Sequence, residues 1–138
     1  MPGITPDEGR VAIAELVYGR SLVDRAATLE LGMFTNSTIG VSFTSTQITE
    51  PGSTAYTRAV LTDSSWGTTG GVATYAEQTF LGASTGYGNV YGYFIVTVPS
   101  TGTARLLHLE ASTAAPLDMS STAYSYAVTP NITVQSGT

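Results

Sequence analysis

The acid–base chemistry open to this chain rests on few side chains: one histidine, ten carboxylates and five arginines, with no cysteine and no lysine. His108 sits in LLHLE, between leucines on a predicted strand. A lone histidine without partners at metal-ligand spacing reads as structural rather than as a ligand or general base. His108 and Glu110 are two apart and so share a strand face, a charge pair as readily as a catalytic one. Glu77 and Glu110 both fall on predicted strands, and glycosidases need two carboxylates about 5–9.5 Å apart. A catalytic acid also needs a pocket that raises its pKa, and the sequence signals none, so both read as surface groups.

Asp7, Asp24, Asp63 and Asp118 are scattered, without the Asp-rich spacing of a calcium loop. The glycines of TTGG and GASTGYG precede neither a lysine nor a helix, so no phosphate cradle is implied. No catalytic, cofactor or metal residue is assigned, and the chain is expected not to be an enzyme. The aromatic residues admit two readings. Trp66, Tyr75, Tyr87, Tyr91 and Tyr93 either form a sugar-stacking platform, or fill core and subunit contacts with their hydroxyls at the rim. Alternating tyrosine on a long strand is ordinary sheet packing, which favours the second.

The elements that would position these groups are mostly strands. Residues 89–112, NVYGYFIVTVPSTGTARLLHLEAS, read as two long strands joined by a Pro-Ser-Thr-Gly turn. On the first, Val90, Phe94, Val96 and Val98 are expected on one face and Tyr91, Tyr93 and Ile95 on the other, both apolar. Two apolar faces require two covers. One helix is signalled over about residues 6–18: Thr5 as cap, Pro6 in the first turn, Glu8 at capping-box spacing, then Ala12, Ile13, Leu16 and Val17 as a stripe. Three helical turns measure roughly 17–18 Å, while nine strand residues span about 30 Å. Part of the second face, with Tyr91 and Tyr93, is therefore expected to meet another chain.

Leu29, Leu31 and Met33 alternate with Thr28, Glu30 and Gly32 in a half-buried strand. A short strand or extended arm is expected over residues 39–44, a strand over 56–62, a polar loop carrying Trp66 over 63–71 and one strand over 72–81. A last strand over 124–134 is interrupted by Pro130, which cannot donate to a ladder. Some seven strands with regular turn signals predict one domain, residues 1–138. It is expected to be mainly β, an antiparallel β-sandwich or barrel with one short N-terminal helix. Phe94, Val96, Leu107 and Leu109 are expected in its main core.

Composition narrows the function classes. Charged residues are 11% of the chain, against about 25% in an average domain. A Thr/Ser/Gly/Tyr-rich surface of this kind suits permanent contacts, because few long charged side chains must be desolvated or frozen. A net charge of −5 with no basic cluster argues against nucleic acid. No apolar run reaches the ~18–20 residues of a membrane span, and MPGITPDEGR lacks the basic start and apolar core of a secretion signal.

The order of short motifs resembles a group of short tailed-bacteriophage virion proteins. It runs from DEG before the helix through LELGMF, a central Trp, AEQTF, VYGYFIVT, a turn and LLHLEA to a final strand with proline, covering Asp7 to Val134. His108 stands where that family carries tryptophan, and Glu110 matches its acid. The resemblance implies a capsid decoration or cement protein on the outer surface of the shell, made in the bacterial host cytoplasm. Its partners would be the major capsid (coat) protein and itself, as a homo-oligomer expected to be a trimer. Tyr91, Tyr93, Trp66 and Tyr87 are the expected contact residues, with polar loops or termini docking on the coat. The alternatives are a tail or tail-fibre head module binding host glycans through the Trp66 and Tyr87 loops, and a free carbohydrate-binding module.

Overall fold

A computed structural model describes residues 3–11, 28–62, 65–83, 87–99 and 102–133. Its eleven strands are β1 Thr28–Phe34, β2 Ala59–Leu61, β3 Trp66–Thr69, β4 Val72–Tyr75, β5 Gln78–Leu81, β6 Asn89–Val90, β7 Gly92–Val98, β8 Leu106–Ala111, β9 Leu117–Asp118, β10 Ser125–Val128 and β11 Asn131–Thr133. Among the described residues the fold is mainly β, antiparallel and sandwich-like, with no closed barrel and one short helix.

The central sheet has the order β2-β1-β7-β8. Its spine is β1 against β7, in register from Thr28 opposite Val98 to Phe34 opposite Gly92. Strands β3, β4 and β11 form a second sheet, β5 pairs with β10, and β6 pairs with β9. Because side chains alternate, β7 sends Tyr93 and Ile95 to one face and Phe94 and Val96 to the other. The first pair joins Leu31, Met33, Leu61, Tyr75, Phe80 and Val128 in the larger core. The second pair joins Phe34, Leu106 and Leu109 in a smaller core, against which Ile39, Phe43 and Ile48 pack. Phe94, Val96, Leu107 and Leu109, expected in the main core, are all buried, but Phe94, Val96 and Leu109 belong to the smaller core instead.

Both apolar faces of β7 are thus covered by this chain itself, so its apolarity does not call for a second subunit. The expected facing also breaks at one point. Tyr91 lies between β6 and β7, where pairing passes from β9 to β1. The interruption reverses the alternation: Val90 belongs to the larger core and Tyr91 packs on the smaller.

Several local expectations are replaced by tighter structures. Residues 39–44 form no strand. They turn at Val41 and Ser42 into a 3-10 turn, Ser45–Gln47, whose Gln47 side chain accepts from Thr44 N at 2.8 Å. The polar segment around Trp66 is not a loop: β3 and β4 form a hairpin turned by Gly70 (φ 59°) and Gly71 (φ 81°). Two successive positive φ values are what a two-residue hairpin turn requires, and glycine adopts them without steric cost. The expected single strand over 72–81 is broken at Ala76 and Glu77, where β4 and β5 take different partners. Pro130 breaks the last strand as expected, separating β10 from β11 while its carbonyl accepts from Tyr75 N at 2.9 Å.

At the N-terminal end residues 7–11 are helical, and Arg10 N donates to Pro6 O at 3.0 Å. The rest of the expected helix, residues 12–18, lies outside the described residues. Glu8 does not serve as the reciprocal partner of a Thr5 cap. Its Oε2 accepts from Ser45 N (2.9 Å) and Leu106 N (2.8 Å), joining the arm to a loop and to β8.

Candidate functional site

Titratable groups converge where β7 and β8 meet. Tyr93 is directly opposite Glu110, and His108 is opposite Ile95 on the same face. The Tyr93 hydroxyl donates to Glu110 Oε2 at 2.9 Å. His108 Nε2 lies 3.4 Å from that oxygen and 3.5 Å from the Tyr93 hydroxyl. The two rings are 5.6 Å apart and tilted by 32°. His108 is only 4% exposed, and its Nδ1 has no hydrogen-bond partner. Gly3 closes the cluster from the edge: a side chain there would run into the His108 ring and come within 2.9 Å of Glu110 Oε2.

Burial sets the protonation states. It holds His108 below its ordinary value near 6.5, with Glu110 acting the other way. Burial first, then the hydrogen bond and charge of Glu110, pushes the Tyr93 phenol well above its ordinary range. Tyr126, on β10, is raised to about 12 by burial and by the charge of Glu110. The cluster is therefore a neutral imidazole and two neutral phenols around one carboxylate. The Tyr93 hydroxyl, His108 Nε2 and Glu110 Oε2 lie within hydrogen-bond reach of one another, and these residues do not line the apolar groove described below.

A second cluster was not legible in the sequence. Arg58 bridges Glu30, at 3.1 Å, and Glu50, at 2.5 Å. The Tyr56 hydroxyl donates to Glu50 Oε2 at 2.8 Å and accepts from Met33 N at 2.9 Å. The guanidinium stands 5.3 Å from the Phe94 ring centre. These bonds fasten the segment before β2 onto β1. The sequence signal was thin: a lone Arg near a lone Glu, in a chain with few charges.

Of the aromatic candidates, Tyr75, Tyr87 and Tyr93 are 8%, 5% and 4% exposed. Tyr87 and Tyr93 are thus buried in the chain's own core and present no face to a partner or a sugar. Tyr87 meets Tyr56 edge-on at 5.9 Å. Tyr91 is half-buried over the smaller core. Trp66 is half-buried against Tyr75, rings 5.2 Å apart. The five aromatics therefore form no shared exposed platform. Trp66 instead lines an apolar groove of about 430 Å³ with Leu29, Val72, Ala73 and Ile132, and with Thr68 and Gly71. Such a lining offers a sugar almost no hydrogen-bond partners.

Glu77 is exposed at the β4–β5 junction, Glu110 stands on β8, and neither lines the groove. Among the described residues no three His, Asp or Glu side chains gather as a metal-ligand set. Asp118 accepts from the Ser120 amide and hydroxyl in a local turn, which lowers its pKa.

A further surface feature is chemical rather than concave. Strands β3, β4, β5, β10 and β11 read WGTT, VATY, QTFL, SYAV and NIT, with no charged residue. Their exposed positions include Thr69, Thr74, Thr79, Leu81, Ser125 and Ala127. Leu81 is 66% exposed, and Tyr124, which precedes β10, is 50% exposed. Comparisons with protein-family models, with curated proteins and with solved structures find no match to this chain.

Proposed function

We propose that this chain is a structural protein of a tailed-phage virion, a decoration or cement protein that binds the outer surface of the coat shell and stabilises it. The observation that carries this reading is that β3, β4, β5, β10 and β11, spread over two sheets, contain no charged residue, with exposed Glu77 standing between β4 and β5. Threonine, serine and alanine on a sheet face can be buried without desolvating an ion or freezing long side chains. The wide apolar surface of Leu81 beside that of Tyr124 adds area to the same region. The order of motifs along the chain, similar to that of short phage virion proteins, points the same way.

The contact face is moved by this reading. Tyr93 and Tyr87 lie in the core, so subunit contact through them is replaced by contact through the uncharged strands. The expected small homo-oligomer, a trimer, then places copies at symmetric positions on the coat. Repeated modest contacts add up to firm attachment when one assembly engages several sites.

A density map of the particle that carries this chain tests the proposal. Density for it on the outer shell, with the uncharged strands against coat protein, is the expected result. Thr79→Lys and Ala127→Glu, both at exposed positions, should leave folding intact and lower occupancy on the shell. Density at the tail, full occupancy by both variants, or absence from the particle would overturn it.

A further inference from the structure

Residues 3–11 lie along the outer edge of β8 as a short strap. Ile4 exchanges two backbone hydrogen bonds with Leu109, at 2.6 and 2.9 Å. One turn later Glu8 accepts from Leu106 N. Pro6 and Gly9 are buried, and Gly9 sits so close to the Leu106 and Leu107 backbone that a side chain would collide with it. Gly3 lies over His108 and Glu110.

That position makes the strap sensitive to the charge on His108. A neutral imidazole needs one acceptor for its single N–H, and Glu110 Oε2 is near Nε2. Protonation adds a second N–H at Nδ1, which is buried and has no partner. An unpartnered donor on a charged ring is costly to keep from water. Gly3 packs over the Cε1–Nε2 edge of the ring and beside Glu110 Oε2, so lifting the strap opens that edge of the charged ring to water.

We propose that residues 3–11 form a latch that is released from the β8 edge when His108 is protonated in mildly acidic solution. The titratable groups facing His108 are Glu110 on β8 itself and Tyr93 on β7, with Tyr126 on β10 facing Glu110. Among the described residues the strap brings the Gly3 and Ile4 backbone to this spot; its Asp7 and Glu8 lie beyond Ile4, with Glu8 bonded near Leu106. Glu110 opposes release because its charge favours imidazolium, and burial of the ring outweighs it. A cationic acid with a lowered pKa in the folded state stabilises that state fully above its ordinary value. The stabilisation is lost as pH falls below about 6.5. Released, β8 shows a row of unpaired backbone groups, an edge open to strand addition.

Amide hydrogen exchange of the full chain, read by NMR at about pH 5 and about pH 7.5 and corrected for intrinsic rates, tests the latch. Protection at Ile4 and Leu109 should fall several-fold or more at the lower pH, about the smallest change that sets local release apart from the rest of the sheet. Protection at Phe94, in the central sheet, should change far less. His108→Gln should abolish the pH dependence. Unchanged protection in the native chain, or the same acid loss in His108→Gln, would overturn the proposal. If that variant does not fold, the native chain decides: the loss of protection at Ile4 and Leu109 should follow the midpoint of the His108 imidazole titration, and a loss that does not follow it sinks the latch.

Discussion

Glu8→Ala removes one carboxylate oxygen that receives two backbone amides, from Ser45 at 2.9 Å and Leu106 at 2.8 Å. Hydrogen bonds to a charged group contribute about 1.5–3 kcal/mol each, and a buried donor left alone carries its full desolvation cost. Leu106 is wholly buried, so its amide should lose about 2 kcal/mol when the acceptor goes. Ser45 is half-buried; water can replace part of its bond, which leaves about 1 kcal/mol. The expected loss is about 3 kcal/mol, a shift of about 1–2 M in the urea midpoint for a slope typical of small domains. Glu8→Gln keeps an oxygen acceptor without charge and should lose about 1 kcal/mol. Asp7→Ala is the control: its pair with Arg10 is 3.6 Å long and exposed, worth under about 0.5 kcal/mol. Urea unfolding followed by Trp66 fluorescence measures all three. A Glu8→Ala loss below about 1 kcal/mol, or equal losses for all three variants, would refute Glu8 as the strap's anchor.

Phe94→Ala should lose about 3–5 kcal/mol in the same assay. The ring is fully buried, with Gly32 packed against it and Arg58 over its face; a loss under about 1 kcal/mol would mean that the smaller core can be emptied freely. At alkaline pH, Tyr56, Tyr93 and Tyr126 all hold their protons above the ordinary value of 10 in the folded state. Their contribution is therefore intact below about pH 10 and lost as the pH rises beyond it, because the unfolded phenols ionise first. Melting temperatures measured between about pH 8 and pH 11 should stay level and then drop; a steady rise through that range would contradict these assignments.

The larger features were legible because they depend on side-chain alternation. The Leu29, Leu31, Met33 pattern marks β1, and the continuous apolar run from Tyr93 to Val96 marks a strand buried on both faces. What the pattern cannot carry is the identity of the cover. An apolar face is covered as well by a loop as by a subunit. Ile39, Phe43 and Ile48 are spaced too irregularly to announce that they are the cover. The breaks at Ala76 and Tyr91 were missed for a related reason. Each depends on which strand lies alongside, and partner choice is a long-range property absent from the local alternation.

The candidate site shows the same division between local and distant information. His108 and Glu110, two apart on one strand, could be seen to share a face, and that pair is real at 3.4 Å. Tyr93 completes the cluster only because β7 and β8 pair in the register that sets it opposite Glu110. Gly3 completes the seal only because residues 3–11 add to the β8 edge, far away in sequence. The DEG motif illustrates how a correct residue can carry an incorrect role. Glu8 has the spacing of a helix cap, yet two distant amides that would otherwise lack acceptors outbid the local donor for its carboxylate. In a chain with so few charges, the half-buried carboxylates stand where donors from other segments converge, backbone amides at Glu8 and side chains at Glu50 and Glu110. Glu8, Glu50 and Glu110 all serve as joints between segments. With those ions held at such joints, the five strands β3, β4, β5, β10 and β11 carry no charge, the feature on which the proposed docking surface rests.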